Sequence, residues 1–171
     1  MKLTVIVIIF SLTVICIKPA TASSSGLFGG ISPPLVEQFD PSRQGVVLDI
    51  EFKVKNRCAY QFDIDFIHKN KQWNELKNLL RGGKSKKGIS IPVHLTIDKQ
   101  GSKEGKNVFD ETVETSGASS HSSSTTNRTI GHTALEPGNY HAILKVISNT
   151  PELKGIDANF VIRVRPKTNC E

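Results

Sequence analysis

The sequence contains none of the linear motifs that mark the common catalytic and metal sites. No CxxC or HExxH occurs, and none of the five histidines stands at zinc-ligand spacing. The G-x-S-x-G turn of serine hydrolases is also missing. Gly83-Lys84-Ser85 resembles the end of a phosphate loop, but Asn78 occupies the position of that loop's first glycine. These absences disfavour an enzyme, although a site assembled from distant residues leaves no linear trace, and we predict no metal or other cofactor.

Charge is scarce at the amino terminus, where Lys2 precedes an almost wholly apolar run over residues 3–17. Ala20-Thr21-Ala22 then supplies the small-x-small pattern of a cleavage site. We therefore predict that residues 1–22 are a secretory signal peptide and that the mature protein is periplasmic or extracellular. Lys18-Pro19 ends the run short of the roughly 20 apolar residues of a membrane span, so no transmembrane segment is predicted in the mature chain.

Cysteine is also scarce, with three in the 171 residues. Cys16 follows Ile15, where a lipid-attachment motif needs a small residue, so we interpret Cys16 as an apolar residue of the signal peptide. Cys58 and Cys170 remain, and an even pair in an exported protein predicts one disulfide. A bridge over so long a loop would stabilise the fold by roughly 3–5 kcal/mol. Two separate free thiols are the alternative that the sequence leaves open.

Two stretches of strict alternation between apolar and polar residues predict β-strands, at residues 46–55 and 60–66. Asn56-Arg57 is a short polar connection between them, so we predict that the two strands form a hairpin. The same kind of pattern predicts further strands at residues 35–36, 89–97, 108–113, 129–134, 140–146 and 159–165. Pro92 cannot donate to a ladder, which predicts that its strand lies at an edge or carries a bulge.

One segment has helical spacing instead. Trp73, Leu76 and Leu80 stand at i, i+3 and i+7, and Gly82-Gly83 ends the run, which predicts one short amphipathic helix. Residues 116–126 are a low-complexity polar stretch, which we predict to be a mobile loop. Asn127-Arg128-Thr129 fits a glycosylation acceptor, and we interpret it as a chance match.

The order of these elements predicts the fold class. Roughly six to eight short strands with one helix lack the β-α-β-α alternation that a parallel sheet requires. We therefore predict a mostly β protein, an antiparallel β-sandwich with one short inserted helix. The Ser- and Gly-rich residues 23–33 are predicted to be a flexible leader, and residues 34–171 a single sandwich domain.

A turn near the carboxyl end carries a resemblance. Leu135-Glu136-Pro137-Gly138-Asn139-Tyr140 combines the fixed φ of proline with the positive φ of glycine, as a type II turn needs. This L-x-P-G-x-Y pattern resembles the tyrosine corner of Greek-key β-sandwiches, which implies that the phenol of Tyr140 bonds back to the turn backbone. Over residues 135–165 the chain resembles small exported bacterial envelope proteins of unknown function with an immunoglobulin-like sandwich. Some proteins of this appearance are immunity proteins against toxins from neighbouring bacteria, a likeness at the level of fold.

Four carboxylates lie on the polar faces of the first two predicted strands. In a hairpin they would stand about 5 Å apart across the ladder and could form a cation site or a carboxylate pair for acid–base catalysis. The alternative is a solvated sheet face, neutralised by basic residues of the same surface. The carboxylates are Asp49, Glu51, Asp63 and Asp65, and the basic residues are Lys53, Lys55, Arg163 and Arg165.

Seven basic residues fall within nineteen positions, from Lys69 to Lys87, against the single acid Glu75. Such a run attracts acidic partners, whereas an exported protein is not expected to bind nucleic acid. A solvated helix and loop is the alternative. We predict that the binding site comprises Lys69, Lys71, Trp73, Lys77, Arg81, Lys84, Lys86 and Lys87.

The function predicted from these features is an exported, non-enzymatic, protein-binding β-sandwich whose partner presents an acidic surface. The resemblance adds the hypothesis of an immunity protein that neutralises a toxin. The competing hypothesis is a cell-envelope hydrolase, or a carbohydrate- or ion-binding accessory domain, that uses the acidic sheet face.

Overall fold

The computed structural model describes residues 32–68, 73–83, 86–101 and 106–171, with the backbone alone for Trp73 and for residues 82–83 and 86–87. Within these ranges the chain forms short strands, one α-helix and one 3-10 turn, Pro151–Leu153. The helix α1 is Trp73–Arg81. The strands are β1 (Leu35–Phe39), β2 (Gly45–Val54), β3 (Cys58–Ile67), β4 (Gly82–Gly83), β5 (Lys86–Lys87), β6 (Ile91–Lys99), β7 (Lys106–Thr115), β8 (Ser120–His121), β9 (Thr125–Leu135), β10 (Gly138–Val146) and β11 (Ala158–Val164).

Two antiparallel sheets enclose one apolar core. The four-stranded sheet has the order β2-β10-β6-β7, and the five-stranded sheet has the order β1-β11-β3-β9-β8. Alternate residues of the central strands face inward, so that Phe62 and Ile64 of one sheet and Leu95 and Leu144 of the other are buried. The predictions of a mostly β antiparallel sandwich and of one short helix ending before Gly82-Gly83 are confirmed.

The predicted hairpin of the first two long strands is wrong. β2 pairs with β10 in the four-stranded sheet, whereas β3 pairs with β11 and β9 in the five-stranded sheet. Alternation in a sequence determines which face of a strand is buried, and it does not determine the neighbouring strand. Asn56-Arg57 therefore connects the two layers, and both strands turn their apolar faces to the shared core from opposite sides.

The second half of the chain is more regular than its composition predicts. The expected loop at residues 116–126 contains β8 and the start of β9, and β9 continues to Leu135. Polar side chains are part of the interior here. Thr126 and Asn127 are almost fully buried, and both are hydrogen-bonded. Of the two alternatives predicted from Pro92, the edge position does not occur, since β6 lies between β10 and β7, and the bulge does, at Ile97/Asp98.

Two tyrosines brace the connections between the sheets at one end of the sandwich. The phenol of Tyr140 donates to the Glu136 carbonyl at 2.7 Å, so the tyrosine corner predicted from the Pro-Gly turn is confirmed. Tyr60 repeats the contact four residues back along the chain, to the Asn56 carbonyl at 3.3 Å. Arg57 and Glu136 form an ion pair between the two corners at 3.0 Å, and the predicted disulfide between Cys58 and Cys170 is present beside them.

The two corners predict unequal effects of removing a hydroxyl. Tyr140→Phe is expected to lower the free energy of unfolding by about 1–1.5 kcal/mol, because a short hydrogen bond to a carbonyl is lost. Tyr60→Phe is expected to cost about 0.5 kcal/mol or less, since its bond is longer than a good O–H···O contact. Urea denaturation of both variants measures the difference. A larger effect at Tyr60 than at Tyr140 would contradict this assignment.

Candidate functional site

Helix α1 is amphipathic, and the sandwich holds it by its apolar side. Leu76 and Leu80 are buried in the core, whereas Asn74, Asn78 and Arg81 are exposed. The amide of Ile89 donates to the Leu79 carbonyl at 2.8 Å, so the returning chain satisfies a carbonyl near the end of the helix. A side chain at Gly88 would collide with the Leu80 carbonyl oxygen, and this close approach requires glycine there.

The structure places two of the predicted binding residues together on this helix. Lys77 and Arg81 stand four positions apart, which is about one helical turn, so their side chains share one face. Arg81 is exposed and forms no salt bridge within the part of the chain that the structure describes. Of the other predicted residues, Trp73, Lys86 and Lys87 have a described backbone only, and Lys69, Lys71 and Lys84 lie outside the described residues.

A fully buried arginine that the sequence analysis did not identify fixes the end of this helix. The guanidinium of Arg128 donates to the carbonyls of Leu80 at 2.7 Å, Ile89 at 2.8 Å, Thr115 at 3.0 Å and Gly117 at 2.8 Å. Burial lowers the pKa of Arg128 to about 10, which still leaves it charged at neutral pH. Its charge lies against four backbone dipoles. This arrangement joins the end of α1 to the chain just before β6 and to the end of β7.

A local signal for Arg128 exists in the sequence. Arg128 and Ile130 share a strand face by the period of two, and Arg128 stands opposite the buried Ile64 in the ladder. An arginine in phase with apolar positions of a strand indicates a buried guanidinium, provided that carbonyl acceptors converge on it. Asn127 beside it is also buried and donates to Asp65 at 2.6 Å, so its amide has a structural role in the fold.

Two imidazoles converge on one hydroxyl beside the basic face of α1. His68 Nε2 lies 2.8 Å and His121 Nδ1 lies 3.0 Å from Oγ1 of Thr126, which is fully buried. Burial and the charge of His121 lower the pKa of His68. Burial lowers the pKa of His121, and the positive charges of Arg81 and Lys77 lower it further.

These lowered pKa values predict that acid destabilises the fold. A histidine with a lower pKa in the folded state binds more protons when unfolded, so its stabilisation is complete above the unfolded pKa of about 6.5 and is lost as the pH falls. We expect the free energy of unfolding to decrease between pH 7 and pH 5. Replacing His68 and His121 by Gln is expected to make this decrease smaller. Denaturant titrations of both proteins at three pH values measure it, and an equal slope in both would contradict the assignment.

A cleft of 590 Å³ opens beside α1, between the helix and the turn after β10, and His68 is part of its lining. Leu153 is fully buried and anchors this turn, and the Ile67 amide donates to the Asp157 carbonyl at 2.9 Å. The lining combines apolar side chains with three carboxylates, one lysine and His68. These side chains include Ile67, Leu76, Leu79, Ile156, Glu75, Glu152, Asp157 and Lys154.

The acidic cluster predicted for a hairpin does not exist as one surface. Asp63 and Asp65 lie on β3, on the outer face of the five-stranded sheet, and Asp49 and Glu51 lie on β2 in the other sheet. Three of these carboxylates contact a basic side chain of a neighbouring strand in their own sheet. Arg163 contacts Asp63 at 2.7 Å and Asp65 at 3.5 Å, while His141 contacts Asp49 at 2.6 Å.

Metal binding gains no support from the remaining polar residues. Among the residues that the structure describes, no group of three or more His, Cys, Asp or Glu side chains could hold a metal ion. His94 and His141 do not meet, because His94 stands opposite Lys145 and His141 opposite Asp98 in the ladder. Across the same described ranges, no helix is long and apolar enough to cross a membrane.

Comparison with known proteins gives one family and one fold. Residues 37–164 match the model of a domain of unknown function, DUF5625. The chain is also similar to a protein of solved structure, GEBA250068378 from Sulfurospirillum deleyianum, with 19% sequence identity and a TM-score of 0.65. That similarity covers 78% of this chain and 98% of the other, and at this identity it supports the fold alone. No curated protein matches the chain.

Proposed function

This chain belongs to the DUF5625 family, and we propose that it is an exported, non-enzymatic protein-binding module. Its binding surface is the basic segment from residue 69 to residue 87, and its partner presents an acidic surface to it. The competing hypothesis of a hydrolase or an ion-binding domain required one acidic sheet face, and the four carboxylates of that hypothesis lie on two different sheets.

The observation that carries this proposal is that Lys77, which is half-buried, and Arg81, which is exposed, share one face of a firmly held helix. Leu76 and Leu80 bury the adjacent side of α1, and Arg128 fixes its end through the Leu80 carbonyl. A basic surface on a rigid element loses little conformational entropy on binding. Its positive potential also accelerates encounter with an acidic partner and selects against basic ones.

Export to the periplasm or outside the cell is part of the same proposal. The disulfide between Cys58 and Cys170 supports it, because such bridges persist in oxidising compartments and are rare in the cytosol. The signal peptide predicted at residues 1–22 agrees with that compartment and lies outside the described residues. An envelope location and an immunoglobulin-like type of sandwich belong to this proposal, and the tyrosine corner at Tyr140 supports the second.

The specific form of the proposal is an immunity protein that binds and neutralises a toxin. An immunity protein needs no catalytic residues, and it works by forming a stable stoichiometric complex with its toxin. A toxin-like gene adjacent to the gene of this protein would support that form. A partner with an enzymatic or structural role in the envelope would leave protein binding in place and remove the immunity assignment.

The experiment that tests the proposal is a pull-down from native envelope extract with the mature chain, residues 23–171, at low and moderate salt. We expect one partner whose capture weakens at moderate salt, because the contact is electrostatic. Lys77→Glu combined with Arg81→Glu should abolish capture. The matched control is Lys53→Glu combined with Lys145→Glu, an equal charge change at exposed positions of the four-stranded sheet. A complex that survives the α1 reversal, or no partner at either salt, would refute the proposed surface.

A further inference from the structure

We infer that the cleft between α1 and the turn at residues 151–157 is a second contact site, which takes an apolar side chain of the partner flanked by lysine or arginine. This inference rests on the proposed function and adds the chemistry of the partner's second contact. The partner would therefore carry acidic groups opposite Lys77 and Arg81 and a basic-apolar segment opposite the cleft.

The floor of the cleft is apolar. Side chains of β3, α1 and the turn supply apolar surface from Ile67, Leu76, Leu79 and Ile156. The volume of 590 Å³ lies within the ordinary range of binding pockets and far exceeds a single side chain. Burial of an apolar group on this floor removes apolar area from water and stabilises a complex.

Acidic side chains stand on both sides of that floor. Among the residues that the structure describes, Glu75 stands on one wall and Glu152 on the other, both exposed, and Lys154 and His68 also line the cleft. Negative charge on both walls favours a ligand with cationic groups on either side of its apolar part. A lysine- or arginine-flanked apolar residue has this pattern, whereas an acidic segment would be repelled.

The cleft and the basic face involve residues of the same helix, α1. Glu75 and Leu79 line the cleft, while Lys77 and Arg81 each stand two positions further along α1, about 200° around the helix axis. One helix therefore separates a positive surface from a negative cleft. A protein that covers the helix contacts both, and the opposite charges on the two sides fix the direction in which it lies. This arrangement favours a protein segment over a free small amine as the occupant.

The experiment is a titration of the isotope-labelled mature chain with the peptide acetyl-Lys-Leu-Lys-amide, followed by NMR. We expect shifts of the Leu79 and Ile156 amides. Glu75→Gln combined with Glu152→Gln is expected to weaken binding about three- to tenfold, as the loss of two exposed ion contacts predicts. Acetyl-Glu-Leu-Glu-amide tests charge and acetyl-Lys-Ser-Lys-amide tests the apolar side chain, and neither should bind.

The outcomes distinguish this inference from the proposed function. Lys77→Glu with Arg81→Glu should leave the basic peptide bound, with equal or higher affinity because the added negative charge attracts it, and abolish capture of the partner. Glu75→Gln with Glu152→Gln should weaken both. Absence of shifts with the basic peptide, or equal binding of the acidic one, would overturn the cleft assignment. Peptide binding without any captured partner would instead show a cleft for free cationic ligands and refute the protein-binding proposal.

Discussion

Arg128→Met is expected to lower the free energy of unfolding by about 3–5 kcal/mol, the largest effect of any single substitution considered for this protein. The guanidinium donates to four backbone carbonyls, and its side chain is 1% exposed. Methionine fills a similar volume but donates no hydrogen bond. The carbonyls of Leu80, Ile89, Thr115 and Gly117 would then be buried without this donor, and an unsatisfied buried acceptor costs about 1–3 kcal/mol.

Urea denaturation of the wild type and three variants measures this effect. Arg128→Lys keeps the charge but supplies three donors from one atom, so we expect it to recover only part of the loss. Arg165→Met is the matched control, because Arg165 is exposed and its replacement should change the stability by about 0.5 kcal/mol or less. Hydrogen exchange at the Ile89 amide, which bonds to Leu79, should accelerate in Arg128→Met. A loss below about 1 kcal/mol would show that the arginine does not hold these segments together.

Removal of the disulfide is the second change with a large expected effect. Cys58 and Cys170 are 112 residues apart in sequence, and closing so long a loop stabilises the folded state by up to about 4.7 kcal/mol in the chain-entropy model. The bridge also holds the carboxyl-terminal tail, where Arg57 and Glu171 exchange two backbone hydrogen bonds of 3.0 Å. Replacing both cysteines by Ala should therefore cost about 3–5 kcal/mol.

Denaturation with and without a thiol reductant measures the contribution of the disulfide. The wild type should lose stability when it is reduced, and the variant with both cysteines replaced by Ala should not respond to the reductant. That variant is the control for effects of the reductant on the rest of the chain. Equal stability of oxidised and reduced wild type would contradict a structural role for the bridge.

Several features of the fold were predictable because short segments determine them. The Pro137-Gly138 turn and Tyr140 lie within four residues of each other, and the tyrosine corner forms as expected. The spacing of Leu76 and Leu80 is enough to predict the helix and its buried side. The disulfide followed from a count of cysteines and from the predicted compartment.

The features that the sequence did not predict depend on distant contacts. Asn56-Arg57 fits a hairpin turn equally well as a connection between sheets, and only the pairing of β2 with β10 decides between them. Arg128 meets carbonyls from segments up to 48 positions away, and His68 meets His121 through Thr126. Polar residues can be buried when tertiary partners satisfy them, and composition does not show those partners. This explains why a Ser- and Thr-rich stretch was predicted to be a loop and yet forms β8 and part of β9.

The central claim is that the basic face of α1 binds an acidic protein partner. Isothermal titration of the purified partner with the mature chain tests it most directly, at low and moderate salt. The account predicts that Lys77→Glu with Arg81→Glu weakens binding at least about 100-fold, whereas the control pair Lys53→Glu with Lys145→Glu changes it less than about threefold. It also predicts that affinity falls as salt rises. Equal affinities for the two variants, or an affinity independent of salt, would contradict it.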